Sequence, residues 1–283
     1  MRALHQNAQV MLAIYAGYAV VLLFFLLPVL WVVSLSFRPL EELFQTTPSL
    51  WPHNPTLESY RHVLTDSPLP IYVWNSLKFA LATVVGAMLV AVPSAYALSR
   101  LRFGAPRIKR LVMLGILAVQ LVSPLVIVLP LYRYFAALGL INSQVAVSLV
   151  YIAVEAPFAT WMLKGFFDTI PRALDDAARI DGCTRLQLLI HVLLPVMLPG
   201  LSSTAILLAI STWGQFLIPY ILLDQNDLLP VGVGILEFQS TTDAVSTNLL
   251  AAAAVLSAIP AILIFIVLQR FIIAALTSGA VKG

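Results

Sequence analysis

The sequence is short of charge. Of its 283 residues only 10% are Asp, Glu, Lys or Arg, while 60% are hydrophobic. A soluble domain of this length would carry about 25% charged residues, so a water-soluble globular chain is excluded. Cysteine occurs once, at Cys183, which excludes an internal disulfide framework and any multi-cysteine metal site. The histidines, His5, His53, His62 and His191, are scattered and have no metal-ligand spacing. No Gly-x-x-x-x-Gly-Lys-Ser/Thr is present: Lys164-Gly165 and Lys282-Gly283 have the wrong order for a phosphate cradle. The apolar runs are continuous rather than alternating, which excludes a transmembrane β-barrel. There is no clear internal repeat and only one acid inside an apolar run, against the pattern of an ion-coupled secondary transporter. A membrane enzyme would need a His/Asp/Glu cluster on one face, and none is found. The net charge of +3 is small, and no nucleic-acid partner is expected.

What is present is long apolar stretches. A helix needs about 20 apolar residues to cross a bilayer, and six segments meet that length: Met11–Phe37, Ile71–Leu98, Leu111–Ala136, Val145–Phe167, Leu198–Leu223 and Asn248–Leu276. The first is too long for a cleavable signal core and lacks a small-x-small site, so it reads as a permanent span. The expected fold is an all-α membrane protein with six transmembrane helices. It divides into a tail and first span (1–37), an outer loop (38–70) and a five-helix core (71–283) whose inner loop covers 168–200. Basic residues collect on one side. With the N-terminus inside, Arg2, Arg100, Arg102, Arg107, Lys109, Arg110, Lys164, Arg172, Arg179, Arg185, Arg270 and Lys282 are cytoplasmic, twelve of the sixteen. The outer loops carry acids, among them Glu41, Glu42, Glu58, Asp66, Asp224, Asp227, Glu237 and Asp243. Both termini are therefore expected in the cytoplasm of a multi-pass inner-membrane protein. Prolines at 39, 48, 52, 55, 68 and 70 preclude long helices in the first outer loop. That loop and Asp224–Thr247 read either as ordered surface or as a platform for an outside partner.

The inner stretch Asp168–Gly200 predicts two short helices. Thr169 can cap the first, Pro171 suits its start, and Asp175 and Asp176 favour its positive end. Gly182 ends it in a left-handed conformation. Thr184 and Gln187 form a capping box for the second, which Pro195 and Pro199 break or kink. Leu174, Ala177 and Ala178 share one small-residue face; Asp175, Arg179 and Asp181 lie elsewhere. Such a helix reads as an ordinary surface turn or as one made for a groove on another protein.

Glu155 lies about eleven residues, roughly 16 Å at 1.5 Å per residue, from the inner end of the fourth span. A carboxylate near the bilayer middle must face a cavity or a partner, so it is a candidate acceptor for solute hydroxyls or a paired structural group. Pro157 could free backbone carbonyls at the same level. Trp213, Gln215 and Tyr220 combine flat apolar faces with hydrogen-bonding edges, as a sugar site would, or they serve as interface anchors. Asn75 and Ser76 read as a cap or packing pair, or as solute contacts.

The run Asp176-Ala177-Ala178-Arg179-Ile180-Asp181-Gly182, followed by Val192-Leu193-Leu194-Pro195, resembles the EAA loop of bacterial ABC-importer permeases. Within that family it is similar to the carbohydrate-uptake branch, the maltose-type second permease. Tyr96-Ala97-Leu98-Ser99-Arg100-Leu101-Arg102-Phe103-Gly104 and the tail Leu276–Gly283 agree. The resemblance implies a type I importer permease that is not itself an enzyme. It would pair with a second permease subunit, two cytoplasmic ATPase subunits and an extracytoplasmic solute-binding protein, amid membrane lipid. The solute would be a sugar or polyol, or alternatively another solute such as glycerol phosphate. ATP and Mg would sit on the ATPase subunits, with no cofactor on this chain. The family's coupling role falls on Leu174, Asp175, Asp176, Ala177, Ala178, Asp181, Gly182, Leu194 and Pro195. Asp176 stands where glutamate is usual, and Gly214-Gln215 where the family more often has Asn and an acid.

Overall fold

The computed structural model describes residues 8–43, 50–101, 106–238 and 247–280. Arg2, His5, Pro48, Arg102-Phe103-Gly104, Asp243 and Val281–Gly283 lie outside the described residues. Among the described residues all regular structure is helical, as the apolar runs require: in lipid each backbone polar group needs a partner within its own segment.

The chain forms two compact units. The first comprises residues 1–67 and 235–258. Its helix α1 (Ala8–Ser36) is apolar on all faces, the mark of a helix whose surroundings are apolar all round. The end of α1 is tied off by polar contacts. The Ser36 hydroxyl pairs with that of Tyr60 at 2.6 Å, Ser34 donates to the Leu50 carbonyl at 2.5 Å, and Thr56 N–H donates to the Phe37 carbonyl at 2.8 Å. As the prolines dictate, only short helices follow, α2 (Leu40–Leu43) and α3 (Glu58–Thr65).

The second unit comprises residues 68–234 and 259–283. It is built on two long helices, α4 (Leu69–Arg100) and α7 (Gln144–Thr169). Ala87, Ala91 and Ala95 of α4 are fully buried with Ala156, Ala159 and Leu163 of α7 in one cluster. A methyl group added at Gly86 would collide with Ile152. Small residues let two backbones approach closely, which is how helices associate where lipid offers no hydrophobic drive. Phe79–Tyr151 and Tyr96–Phe167 lock the seam edge to face, with ring centroids 5.6 and 6.0 Å apart. Both helices continue through an internal proline, Pro93 and Pro157.

The expected third span is not continuous. It consists of α5 (Pro106–Gln120) and α6 (Pro124–Ala137), set 84° apart. The cause is local: Ser123 takes extended backbone and caps α6 by accepting from Leu125 N–H, while Pro124 occupies the first turn. After α8 (Ala173–Ile180) comes a second helical run. It contains α9 (Arg185–Gln187), a π-helical segment Leu188–Leu193, and α10 (Leu194–Val196). Then α11 (Leu198–Trp213) leaves it at 79°. The expected fifth span, Leu198–Leu223, is also interrupted: α11 stops at Gly214, and α12 (Leu217–Leu222) restarts three residues later. Then comes α13 (Val231–Gly234). Helix α14 (Thr247–Ala280) is the last element. Among the described residues four helices are long and apolar enough to cross a membrane, and the count reaches up to six if each bent pair is one span.

Pro195 corrects the expectation in another way. It does not break the second run, because that run has already widened: Leu194 N–H donates to the carbonyl five residues back, at Leu189. The wider turn gives room to a ring that would clash in an α-helix. The break falls at Met197, where ψ is 1°.

Candidate functional site

Helix α8 is short, and caps define its C-terminal end. Gly182 has φ +82°, a conformation that costs glycine nothing. Its N–H donates to the Arg179 carbonyl at 3.1 Å, and Cys183 N–H reaches back to Ala178 at 3.0 Å. This pair of bonds is a Schellman motif. The capping box then starts α9: Gln187 N–H donates to Thr184 Oγ1 at 3.3 Å, and Thr184 N–H donates to Gln187 Oε1 at 2.8 Å. Gly182 and Thr184 thus lie where the sequence reading put them. Thr169 does not: it belongs to α7, where its hydroxyl bonds the Phe166 carbonyl, and Arg172 precedes α8 without a side-chain cap.

The faces of α8 also differ from the expectation. Ala178 is buried in this chain's own core, and so is Asp175. Leu174, Asp176 and Ala177 are exposed, as are Asp181 and Gly182. Ile180 is 86% exposed, and Leu186 beyond the turn is 65% exposed. The free apolar stripe is therefore Leu174, Ala177 and Ile180, one helical turn apart, while Ala178 turns inward. Leu194 is half-buried and Pro195 exposed.

Asp175 is buried because Arg100 meets it. The Arg100 side chain is 4% exposed and that of Asp175 7%. Arg100 Nη2 donates to the Ile170 carbonyl at 2.9 Å, and Nε lies 3.1 Å from Asp175 Oδ2, off the line of a hydrogen bond. Beside it, Ser99 donates to Asp168 at 2.6 Å, and Lys164 pairs with the other Asp168 oxygen. The ends of α4 and α7 and the first turn of α8 are thereby joined by charges. Sequence reading missed this joint because its members lie 75 positions apart; the one signal was an arginine ending an apolar helix.

A cavity of about 590 Å³ opens between the α5–α6 break, α7 and α11. Glu155 and Gln215 line it, together with Gln120, Phe158 and Ser211. Glu155 is buried, and its Oε1 accepts from Ser211 at 2.6 Å. Pro157 has no N–H to offer the carbonyl of Ala153, another lining residue. Trp213 and Tyr220 do not line the cavity; Tyr220 stacks on Phe216 at 5.0 Å. At the far end of α4, Asn75 and Ser76 prove to be packing residues. Asn75 donates to the carbonyls of Asp227 and Leu229, and Ser76 accepts from Val231 N–H, which fastens the 227–231 segment.

In the second unit, straight and broken membrane helices carry at one end a capped helix with an exposed apolar stripe, the arrangement of a transport permease subunit. The chain belongs to the binding-protein-dependent transport system inner membrane component family, whose model matches residues 91–278. Among its relatives is the sulfoquinovosyl glycerol transport system permease of Agrobacterium fabrum, 33% identical over 91% of this chain and 89% of that one. Another is the trehalose/maltose transport system permease of Thermococcus litoralis, 31% identical over 91% of this chain and 92% of that one. A third is an inner membrane ABC transporter permease of Escherichia coli, 33% identical over 95% of both. In fold it matches a chain of a bacterial ABC transporter that imports the acidic polysaccharide alginate. The TM-score is 0.80 at 21% identity, covering 96% of this chain and all of the other. The chain is thus a multi-pass, non-catalytic membrane component of an ABC importer.

Proposed function

We propose that this subunit conducts a neutral carbohydrate or polyol inward, with both termini and α8 in the cytoplasm and α8 seated in a cleft of an ATPase subunit. The observation that carries this is the exposed Leu174–Ala177–Ile180 stripe on a helix capped at its C-terminal end and held at its base. An apolar stripe on a projecting helix fits a groove on a partner. Asp176 sits beside it and keeps the family's negative charge one methylene shorter. The full assembly would contain a second permease, two ATPase subunits that bind ATP and Mg, and an extracytoplasmic binding protein. The relatives named for trehalose/maltose and for sulfoquinovosyl glycerol transport support a carbohydrate.

The cavity supports a neutral solute. None of its lining residues is basic, and Glu155, Gln120, Gln215 and Ser211 offer the polar edges that hydroxyls need. An anion would meet a carboxylate with no countercharge. Because Ala178 is buried, the substitution that probes docking is Ala177→Trp. It should cut recovery of the ATPase with the purified chain by at least about tenfold, or 1.4 kcal/mol, and leave thermal stability unchanged. Equal recovery would remove the docking reading. A thermal-shift screen of the associated binding protein against sugars, polyols and sugar phosphates tests the solute class; stabilisation by anions alone would contradict it.

A further inference from the structure

We infer that Arg100 is a positioning residue that makes α4 follow α8, so that movement of the projecting helix becomes movement of the membrane core. The inference rests on the docking reading above and adds the path by which force leaves α8. Three observations carry it. Arg100 is the last residue of α4, so whatever grips its guanidinium grips the end of a 32-residue rod. That guanidinium touches both other elements at this end, the Ile170 carbonyl closing α7 and the Asp175 carboxylate in the first turn of α8. The pair is buried to 4% and 7% exposure, where water can neither replace nor screen it.

The other contacts of α8 with its own chain are weaker candidates for the task. Ala178 offers a single methyl group to the core, which can slide. The Asp176–Arg179 pair is exposed, spans 3.8 Å and stays within α8. The Arg100–Asp175 joint ties the first turn of α8 to the last residue of α4 by charge, with Nε 3.1 Å from Asp175 Oδ2. The neighbouring Ser99–Asp168–Lys164 contacts couple α4 to α7, so both rods of the seam move as one body.

The test uses the complete transport complex in lipid nanodiscs. Spin labels are placed on the native Cys183, just past α8, and on Leu89→Cys, which is exposed midway along α4. Distances are measured without nucleotide and after trapping with ATP and vanadate. In the otherwise unaltered chain the distance should be the same in both states, because α8 and α4 travel together. In Arg100→Gln and in Asp175→Asn, trapping should shift or split the distance. In Arg100→Gln the ATPase should still co-purify and its basal hydrolysis stay within about twofold, while ATP-driven change at the outer end of α4 falls about tenfold, within the 5–150-fold span of site-to-site coupling. Arg100→Lys, which keeps a cation and a donor at the joint, should retain the single distance that Arg100→Gln loses, which a merely structural role would not predict. An unchanged distance in both single variants, or a nucleotide-dependent distance in the unaltered chain, would overturn the inference. Failure of the unaltered chain to hold its ATPase would instead strike the docking reading.

Discussion

The seam between α4 and α7 and the attachment of α8 are held in opposite ways. Along its length the seam is a stack of alanines and aromatic rings, with charged contacts at its ends. Helix α8 rests on one methyl group, two backbone caps and a buried ion pair. Dispersion contacts over a long seam are many and individually small, so no single event releases them. A few polar contacts are discrete and can be re-formed elsewhere. The contrast separates a frame from a lever.

Substitutions can break this comparison at either side. The largest effect is expected in the seam: Ala91→Leu forces three extra carbons between buried backbones and should cost about 1–3 kcal/mol. It would be read as a fall in thermal unfolding temperature in detergent, with loss of ATPase recovery only as a consequence. A smaller effect is expected at α9: Thr184→Ala removes the capping box and should cost about 1 kcal/mol. Here uptake should fall more than thermal stability does, since the seam is untouched; equal losses would deny that α8 and its turn are separable from the frame.

The smallest effect lies in the first unit and depends on pH. The backbone N–H of His53, then its ring, holds the Glu42 carboxyl below the usual carboxylate range. A carboxyl depressed in the folded state stabilises above its unfolded pKa, and the benefit is lost as pH falls through the folded value. The loop after α1 should therefore loosen only under acid conditions. His53→Ala should move that loosening to higher pH, as measured by protease sensitivity across a pH series. The backbone N–H stays in that variant, so a profile unmoved by the substitution would exclude the ring contact.

Much of the fold was legible in the sequence. Hydropathy located the four unbroken spans to within a few residues, since only apolar helices satisfy a backbone in lipid. The Gly182 turn and the Thr184–Gln187 box were legible because caps are local chemistry. The bends were not. Pro93 and Pro157 sit inside continuous helices, whereas Ser123-Pro124 starts a new one. The difference is the serine, whose side chain replaces the missing helical partner, and it was there to be read. Pro195 misled because the π-helical turn before it depends on packing of Leu188, Leu189 and Leu193 into the core. At the cavity, Glu155 and Gln215 stood out as polar residues in apolar runs, while Ser211 became visible only through its bond. The joint at Arg100 needed the tertiary structure, for nothing local links position 100 to 175.

The account turns on which side of the membrane α8 faces, and the single native cysteine reports it directly. Cys183 is half-exposed and follows Gly182 at the end of α8. A membrane-impermeant maleimide should label it in inside-out vesicles and leave it unmodified in intact spheroplasts. Assembly with the ATPase should slow that labelling. Rapid modification of Cys183 from the outside of spheroplasts would contradict the account.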